Sequence, residues 1–403
     1  MTDKNPLLSV IIPTFNNPIL YSHLKLYAAQ TAKSDAFEII VVNDGGVAID
    51  EDLLPSGVDI KVFYQENAGP AKARNYGASK ARGERLLFVG DDCLPSQNLV
   101  LAHILHHLDY PNVALQGYSP FHPDLMDTKF MHWLELRGLQ ANWGALKSET
   151  GWKTEATGFL LTTNWSINKA DFVLHGGFPE GFPDAAWEDV ALGHRLMKLS
   201  YKTRFSPAAT NYHWHKHTIG SFLNRQKKEG RSRIFLCSLF PEISGSLLNP
   251  NDIRGALSLK LDEMYKRAET AEYLAEADAD EVLQRLMVAA SYHGVMDKIN
   301  EEGGVLLALP HVYHQEFPAY IVSAWKSITS GDQNNGYLGH LATWATQAEP
   351  GNWAAWAFAG EIELATGNYA EAYSHFKRSV EMSPANEWPI SQVVFLEQRI
   401  NER

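Results

Sequence analysis

Apolar and polar positions divide this chain into three stretches of different rhythm. In residues 1 to about 118, short apolar runs alternate with helical spacing. Leu7-Leu8-Ser9-Val10-Ile11-Ile12 predicts a buried strand closed by Pro13, and Leu20, Leu24 and Ala28 then recur on one helix face. Phe37 to Val42 reads as a second strand, and Ile60, Val62 and Tyr64 alternate as a third. Pro70 to Ala81 is a helix with proline in its first turn, and Arg85 to Val89 is the fourth strand. Apolar strands separated by helices predict an α/β fold with a mostly parallel sheet covered on both faces.

The middle stretch is less regular. Trp133, Trp143 and Trp152 stand in a segment of little periodicity, followed by a strand-like Gly158 to Trp165, a helix-like Trp187 to Leu199 and a strand-like Tyr201 to Phe205. From about residue 218 the chain turns helical, rich in Ala, Leu, Glu and Lys. Near its end, Ala348-Glu349-Pro350-Gly351-Asn352 recurs loosely as Met382-Ser383-Pro384-Ala385-Asn386. The two prolines are 34 residues apart, the tetratricopeptide period. Between them Trp356, Gly360, Gly367-Asn368-Tyr369, Ala372 and Phe376 resemble that repeat. The plainer alternative is an ordinary helical hairpin. The expected divisions are 1–235, an α/β domain; 236–330, a helical linker region; and 331–403, tetratricopeptide-like helices.

Composition narrows the class. A chain of 403 residues has room for two or three domains. Its net charge of −12 argues against nonspecific nucleic-acid binding. Cys93 and Cys237 alone make neither a zinc site nor a disulfide framework, so a reducing cytoplasm is expected. The apolar stretch Leu7 to Ile12 is too short for a signal peptide or a membrane span.

Asp91-Asp92 directly follow the apolar run Leu86-Leu87-Phe88-Val89. Carboxylates at the carboxyl edge of a sheet lie where open α/β sheets bind ligands, and oxygen ligands suit Mg²⁺ or Mn²⁺. Pro13-Thr14-Phe15-Asn16 and Asn43-Asp44-Gly45-Gly46 end the first two strands and would share that crevice. Asp44 could accept hydrogen bonds from a nucleobase or ribose, or simply close a turn. Asn67-Ala68-Gly69-Pro70 opens a helix whose free N–H groups suit an anion, with Lys72 and Arg74 adding positive charge.

Taken in order, these segments resemble family 2 nucleotide-sugar glycosyltransferases. The resemblance continues through Gly176-Gly177-Phe178, Trp187-Glu188-Asp189-Val190 and Tyr212-His213-Trp214-His215, covering roughly residues 7 to 235. It implies the Rossmann-like GT-A fold and a metal-dependent, inverting transferase. Pro13, Thr14, Asp44 and Arg74 would line the donor nucleotide, with Lys72 near its phosphates. Asp91 would face the ribose or donor sugar. Asp92 would bind the cation, while Gly90 stands where many relatives carry another Asp. Asp189 matches the general base, with Glu188 beside it. His213 or His215 would complete the metal sphere, and their period-two spacing does not choose between them.

The chemistry agrees. A leaving diphosphate needs charge neutralisation, and an attacking hydroxyl or thiol needs a base within hydrogen-bond reach. The motifs favour a UDP-linked donor and leave the acceptor open among glycan, peptide and protein. The helical C-terminus would present a surface for a protein partner or a second copy, in a bacterial cytoplasmic enzyme. Arg225, Lys227, Lys228, Arg231 and Arg233 form a basic run that is either a lid or anionic-acceptor site, or a solvated face. Trp187 is the foremost candidate for an acceptor-site aromatic. For the tryptophans from Trp133 to Trp165, sugar stacking and core packing stay open. The alternative from another class is a catalytically degenerate scaffold that recruits a partner through its C-terminal helices.

Overall fold

The computed structural model describes residues 5–137, 143–148, 151–153, 160–240, 276–301, 351–365, 367–384 and 387–401, with 243, 247, 266 and 346 as isolated positions. The chain divides into two compact units, Met1–Phe222 and Leu223–Arg403.

The first unit is built on one mixed sheet. The four predicted strands are present as β1 (Leu8–Thr14), β2 (Phe37–Asp44), β3 (Asp59–Gln65) and β4 (Arg85–Val89). To these the structure adds β5 (Cys93–Pro95) and β6 (Ala114–Tyr118), which the apolar pattern did not mark. A separate ribbon pairs β7 (Lys147–Ser148) with β8 (Gly151–Trp152). The later strands are β9 (Asn164–Asn168) and β10 (Thr203–His213). The sheet order is β3-β2-β1-β4-β9-β6-β10-β5.

Two expectations change. Pro13 lies inside β1 rather than ending it. β1 pairs with β4 only as far as Ile11↔Phe88, while its pairing with β2 runs on through Pro13↔Val42. The missing N–H therefore falls where one side of the strand is already unpaired. The sheet is mostly parallel, with two exceptions: β9 runs antiparallel to both β4 and β6, and β5 antiparallel to β10. The strand expected at Gly158 to Trp165 begins at Asn164, and Gly158 lies outside the described residues.

Period-two side chains sort the two faces. Leu8, Val10 and Ile12 pack with Leu20, Leu24 and Tyr27 of α1 (Leu20–Tyr27) and with Leu99, Val100 and Ile104. Ile11, Ile40 and Val42 face the other way, towards Ala71, Ala73 and Ala78 of α2 (Pro70–Lys80). Leu99 to Ile104 belong to α3 (Leu99–Asp109); α4 (Lys129–Arg137) and α5 (Lys169–Leu174) follow it. Leu192 and Leu196 of α6 (Glu188–Lys198) complete the second face. Trp165 is fully buried and stacks on Phe88, and Trp143 is buried with its Nε1 donating to the Ser119 carbonyl. Both are core residues, which settles the choice against sugar stacking for them.

α7 (Ile219–Leu239) runs into the second unit. There the helix Glu276–Glu301 lies against it at two glycines. A Cβ on Gly230 would overlap the Ser291 carbonyl, and one on Gly294 would overlap the carbonyl of Lys227. Gly230→Ala is therefore expected to destabilise this unit by roughly 3 kcal/mol through overpacking against backbone, read as a lower urea midpoint. Within the basic run, Arg225 pairs with Glu229, and Arg233 bonds Ser291 and lies over the Tyr292 ring. Arg225 is thus paired along its own helix, and Arg233 is used in packing against the helix Glu276–Glu301.

Helices Trp353–Ala365 and Tyr369–Met382 form a hairpin, followed by Glu387–Asn401. Gly367, at φ 84°, makes the turn, and Gly360 lets the Phe376 ring approach the helix backbone. Ala348 to Pro350, Ala385, Asn386 and most of 236–330 lie outside the described residues. Among the described residues no helix is long and apolar enough to cross a membrane.

Candidate functional site

The strand order reverses direction between β1 and β4, so their carboxyl ends open a crevice. Thr14, the last residue of β1, donates its hydroxyl to Asp91 at 2.6 Å. Burial, then the neighbouring Asp92 charge, raise the Asp91 pKa against the hydrogen bonds from Thr14 and Asn17. Pro13 is half-buried just inside the same edge.

Asp92 turns the other way. β5 pairs antiparallel with the end of β10, setting His213 opposite Cys93, and the Trp214 N–H donates to the Asp92 carbonyl at 2.7 Å. The Asp92 carboxylate then stands 3.1 Å from His213 Nε2 and 3.4 Å from His215 Nδ1. Burial disfavours its charge, but His213 and His215 outweigh that and hold the carboxyl well below the usual carboxylate range. A ligand atom from each of the three residues lies within 4.8 Å of the others. Both histidines face the acid, as period two allows. The spacing extends to His217, whose buried ring lies 4.4 Å from that of His215. His23 of α1 is buried near the acid pair. Burial pushes its pKa down to about 4 against the Asp92 charge, leaving it neutral.

Gly90 has a steric reason. A Cβ there would come 2.8 Å from Asp92 Oδ1 and 3.0 Å from Cys93 Sγ. A side chain at this position would displace the carboxylate that meets the histidines.

Asp44 ends β2, and its carboxylate organises the next loop. Oδ1 accepts from Gln65 and from the Ala68 N–H, and Oδ2 accepts from the Gly69 N–H at 2.9 Å. Gly69, at φ 87°, occupies the left-handed region as the cap of α2. Two N–H groups expected to greet an anion are thus spent on Asp44. Lys72 is exposed in the first turn of α2. Arg74 is buried, and its Nη1 donates to Glu188 Oε1 at 2.7 Å.

Trp187 precedes α6 at φ 74°, a strained left-handed conformation for a bulky residue. It delivers Glu188 and Asp189 into the first helical turn. Asp189 accepts from its neighbour Val190 at 2.8 Å and, more weakly, from the Thr162 N–H at 3.4 Å. Burial first, and then the Glu188 charge, push its pKa up to about 6. A half-buried carboxylate of that pKa can accept a proton near neutrality. The structure thus places Asp92, His213 and His215 together, ties Arg74 to Glu188, and raises the proton affinity of Asp189 as well as that of Asp91.

Residues 9–172 match the family model described as Glycosyl transferase family 2. Over 225 residues the chain is 30% identical to validoxylamine A glucosyltransferase of Streptomyces hygroscopicus subsp. limoneus, covering 48% of this chain and 49% of that protein. An uncharacterized glycosyltransferase of Rickettsia typhi is 37% identical over 120 residues, covering 28% of this chain and 37% of that protein. The chain spans about half the length of the Streptomyces relative. Among solved structures, the mannosyltransferase PcManGT from Pyrobaculum calidifontis, in complex with GDP-Man and Mn²⁺, is similar with TM-score 0.44 and 16% identity over 81% of this chain and 88% of that one.

Proposed function

We propose that this chain, which carries a family 2 glycosyltransferase domain, moves a sugar from a nucleotide-sugar donor to an acceptor with inversion at the anomeric carbon. The observation that carries this reading is the convergence of Asp92, His213 and His215 at the carboxyl edge of the sheet. One carboxylate and two imidazoles are a donor set that fits Mn²⁺, and Mg²⁺ less well. Bound there, such a cation would supply Lewis-acid charge neutralisation at a departing diphosphate.

The chain's own residues do the rest. Asp91, held by Thr14, presents acceptors to the donor ribose or sugar. Asp44 shapes the loop beside the nucleotide, and Lys72 offers charge to the phosphates. Asp189 takes the proton from the acceptor as it attacks opposite the leaving group. Glu188 supports that base through its charge rather than acting as a second one. A UDP-linked sugar is the preferred donor, and the Streptomyces relative's name makes a glucose nucleotide the first to try. The acceptor is a glycan, peptide or protein. The C-terminal hairpin is read as tetratricopeptide-like, a surface for that acceptor, another protein or a second copy.

Calorimetry with UDP, with and without Mn²⁺, tests the site. Mn²⁺ is expected to tighten UDP binding about ten-fold or more, equivalent to at least about 1.4 kcal/mol, and Asp92→Ala to erase that gain. Identical UDP heats with and without the metal would overturn the catalytic reading and favour a scaffold.

A further inference from the structure

Three fully buried carboxamides sit in the middle of the sheet: Gln116 on β6, Asn164 on β9 and Asn211 on β10. Burying an amide is costly unless each of its ends is bonded, and an apolar side chain of similar size would avoid the cost. The Asn164 carboxamide bonds His103 and the Tyr118 and Ala209 carbonyls, whereas those of Gln116 and Asn211 converge on one turn. Gln116 Oε1 accepts from the Leu161 N–H at 2.8 Å, and its Nε2 donates to the Asn164 carbonyl at 3.0 Å. Asn211 Nδ2 donates to the Thr163 carbonyl at 2.6 Å, while its Oδ1 accepts from Ser119 Oγ. The turn is closed by the Asn164 N–H on the Leu161 carbonyl. Between those anchors lies Thr162, whose N–H reaches Asp189.

We propose that Gln116 and Asn211 are positioning residues, which fix the turn 161–163 so that the Thr162 amide orients the Asp189 carboxylate. This rests on Asp189 being the base. Asn211 also stands two residues before His213 on β10, so one turn couples the strand carrying a cation ligand to the helix carrying the base. A role confined to holding the sheet together would need no amide aimed at Asp189. A positioning role makes the turn a determinant of how tightly Asp189 holds its proton, because an N–H donor favours the ionised form.

The test is a ¹³C NMR titration of the whole chain labelled at aspartate carboxyl carbons, with Asp189 identified by its loss in Asp189→Asn. In the unchanged chain the Thr162 amide resonance is expected to titrate with the Asp189 midpoint, near pH 6. In Gln116→Met and Asn211→Leu that midpoint should rise by roughly half a pH unit, about a three-fold gain in proton affinity. His106→Phe serves as control. It removes a ring that bonds the Val113 carbonyl and, among the described residues, makes no hydrogen bond to 161–164, and should leave the midpoint in place. A Thr162 amide blind to Asp189, or turn variants that lose stability while the midpoint stays fixed, would overturn the proposal. The amide measurement needs neither turn variant and stands even if those substitutions prevent folding. If Asp189→Asn retained transfer, the base assignment would fall while these titrations stood unchanged.

Discussion

Asp189→Asn is expected to slow sugar transfer by about 10²- to 10⁴-fold and, at the same time, to make the protein more stable above pH 6. The first effect follows from removing the group proposed to accept the acceptor's proton. UDP binding should be unchanged, so the loss appears in kcat rather than in UDP affinity. The second effect follows from the raised pKa of about 6, set by burial and then by the Glu188 charge. An unfolded aspartate ionises near pH 3.9. As pH climbs from about 4 to about 6 the unfolded chain gives up this proton before the folded one does, so the residue's contribution to stability falls across that window and is flat above it. Asparagine carries no charge to bury. Its gain should be roughly 3 kcal/mol at pH 8 and shrink to under about 0.5 kcal/mol at pH 4, read from urea midpoints. Near-normal transfer by this variant would remove Asp189 as the base. Unchanged midpoints at pH 8 would remove the burden of burying its charge.

Much of the first unit could be read from the chain because its strands carry their own signal. β1, β2 and β4 are fully apolar over several residues, and the helices between them repeat their buried positions at helical spacing. What could not be read is pairing direction. β9, Asn164-Trp-Ser-Ile-Asn168, is short and half polar, and its antiparallel insertion between β4 and β6 depends on contacts far along the chain. β5 is three residues long and exists because β10 offers it an edge. Pro13 misled because a proline stops a strand only where its N–H is needed on the paired side.

The candidate site divides in the same way. Asp91 and Asp92 stand out because carboxylates after a buried strand can only emerge at its edge. His213, His215 and His217 alternate, a signal present in the sequence, although β10 ends at His213 and the Trp214 N–H on the Asp92 carbonyl holds the next residues in place. Asp44 was legible as a strand-end carboxylate, but its bonds to Gln65, Ala68 and Gly69 reach a loop more than twenty residues on. The Arg74–Glu188 pair was not legible, since its members are 114 residues apart. Nor were Gln116 and Asn211, whose amides look like ordinary strand residues until the turn they hold is seen.

That distant pair carries the other large effect. Arg74→Met is expected to destabilise the first unit by roughly 3–5 kcal/mol, because it leaves Glu188 buried without its cation. The double variant Arg74→Met with Glu188→Gln should recover most of that loss, since no uncompensated charge remains. Recovery in the double variant separates an ion-pair effect from the lost contact of the Arg74 guanidinium, whose Cζ lies 5.7 Å from the Phe178 ring centroid. The same cycle reports on the base. Glu188 raises the proton affinity of Asp189 and Arg74 lowers it. Without Arg74 the acid limb of the transfer rate should therefore move to higher pH; with Glu188→Gln alone it should move to lower pH. A buried pair that only joined α2 to α6 would change the urea midpoint in every variant and leave that limb where it is. Opposite displacements of the limb would show that the two helices set the charge of the proposed base as well as its place.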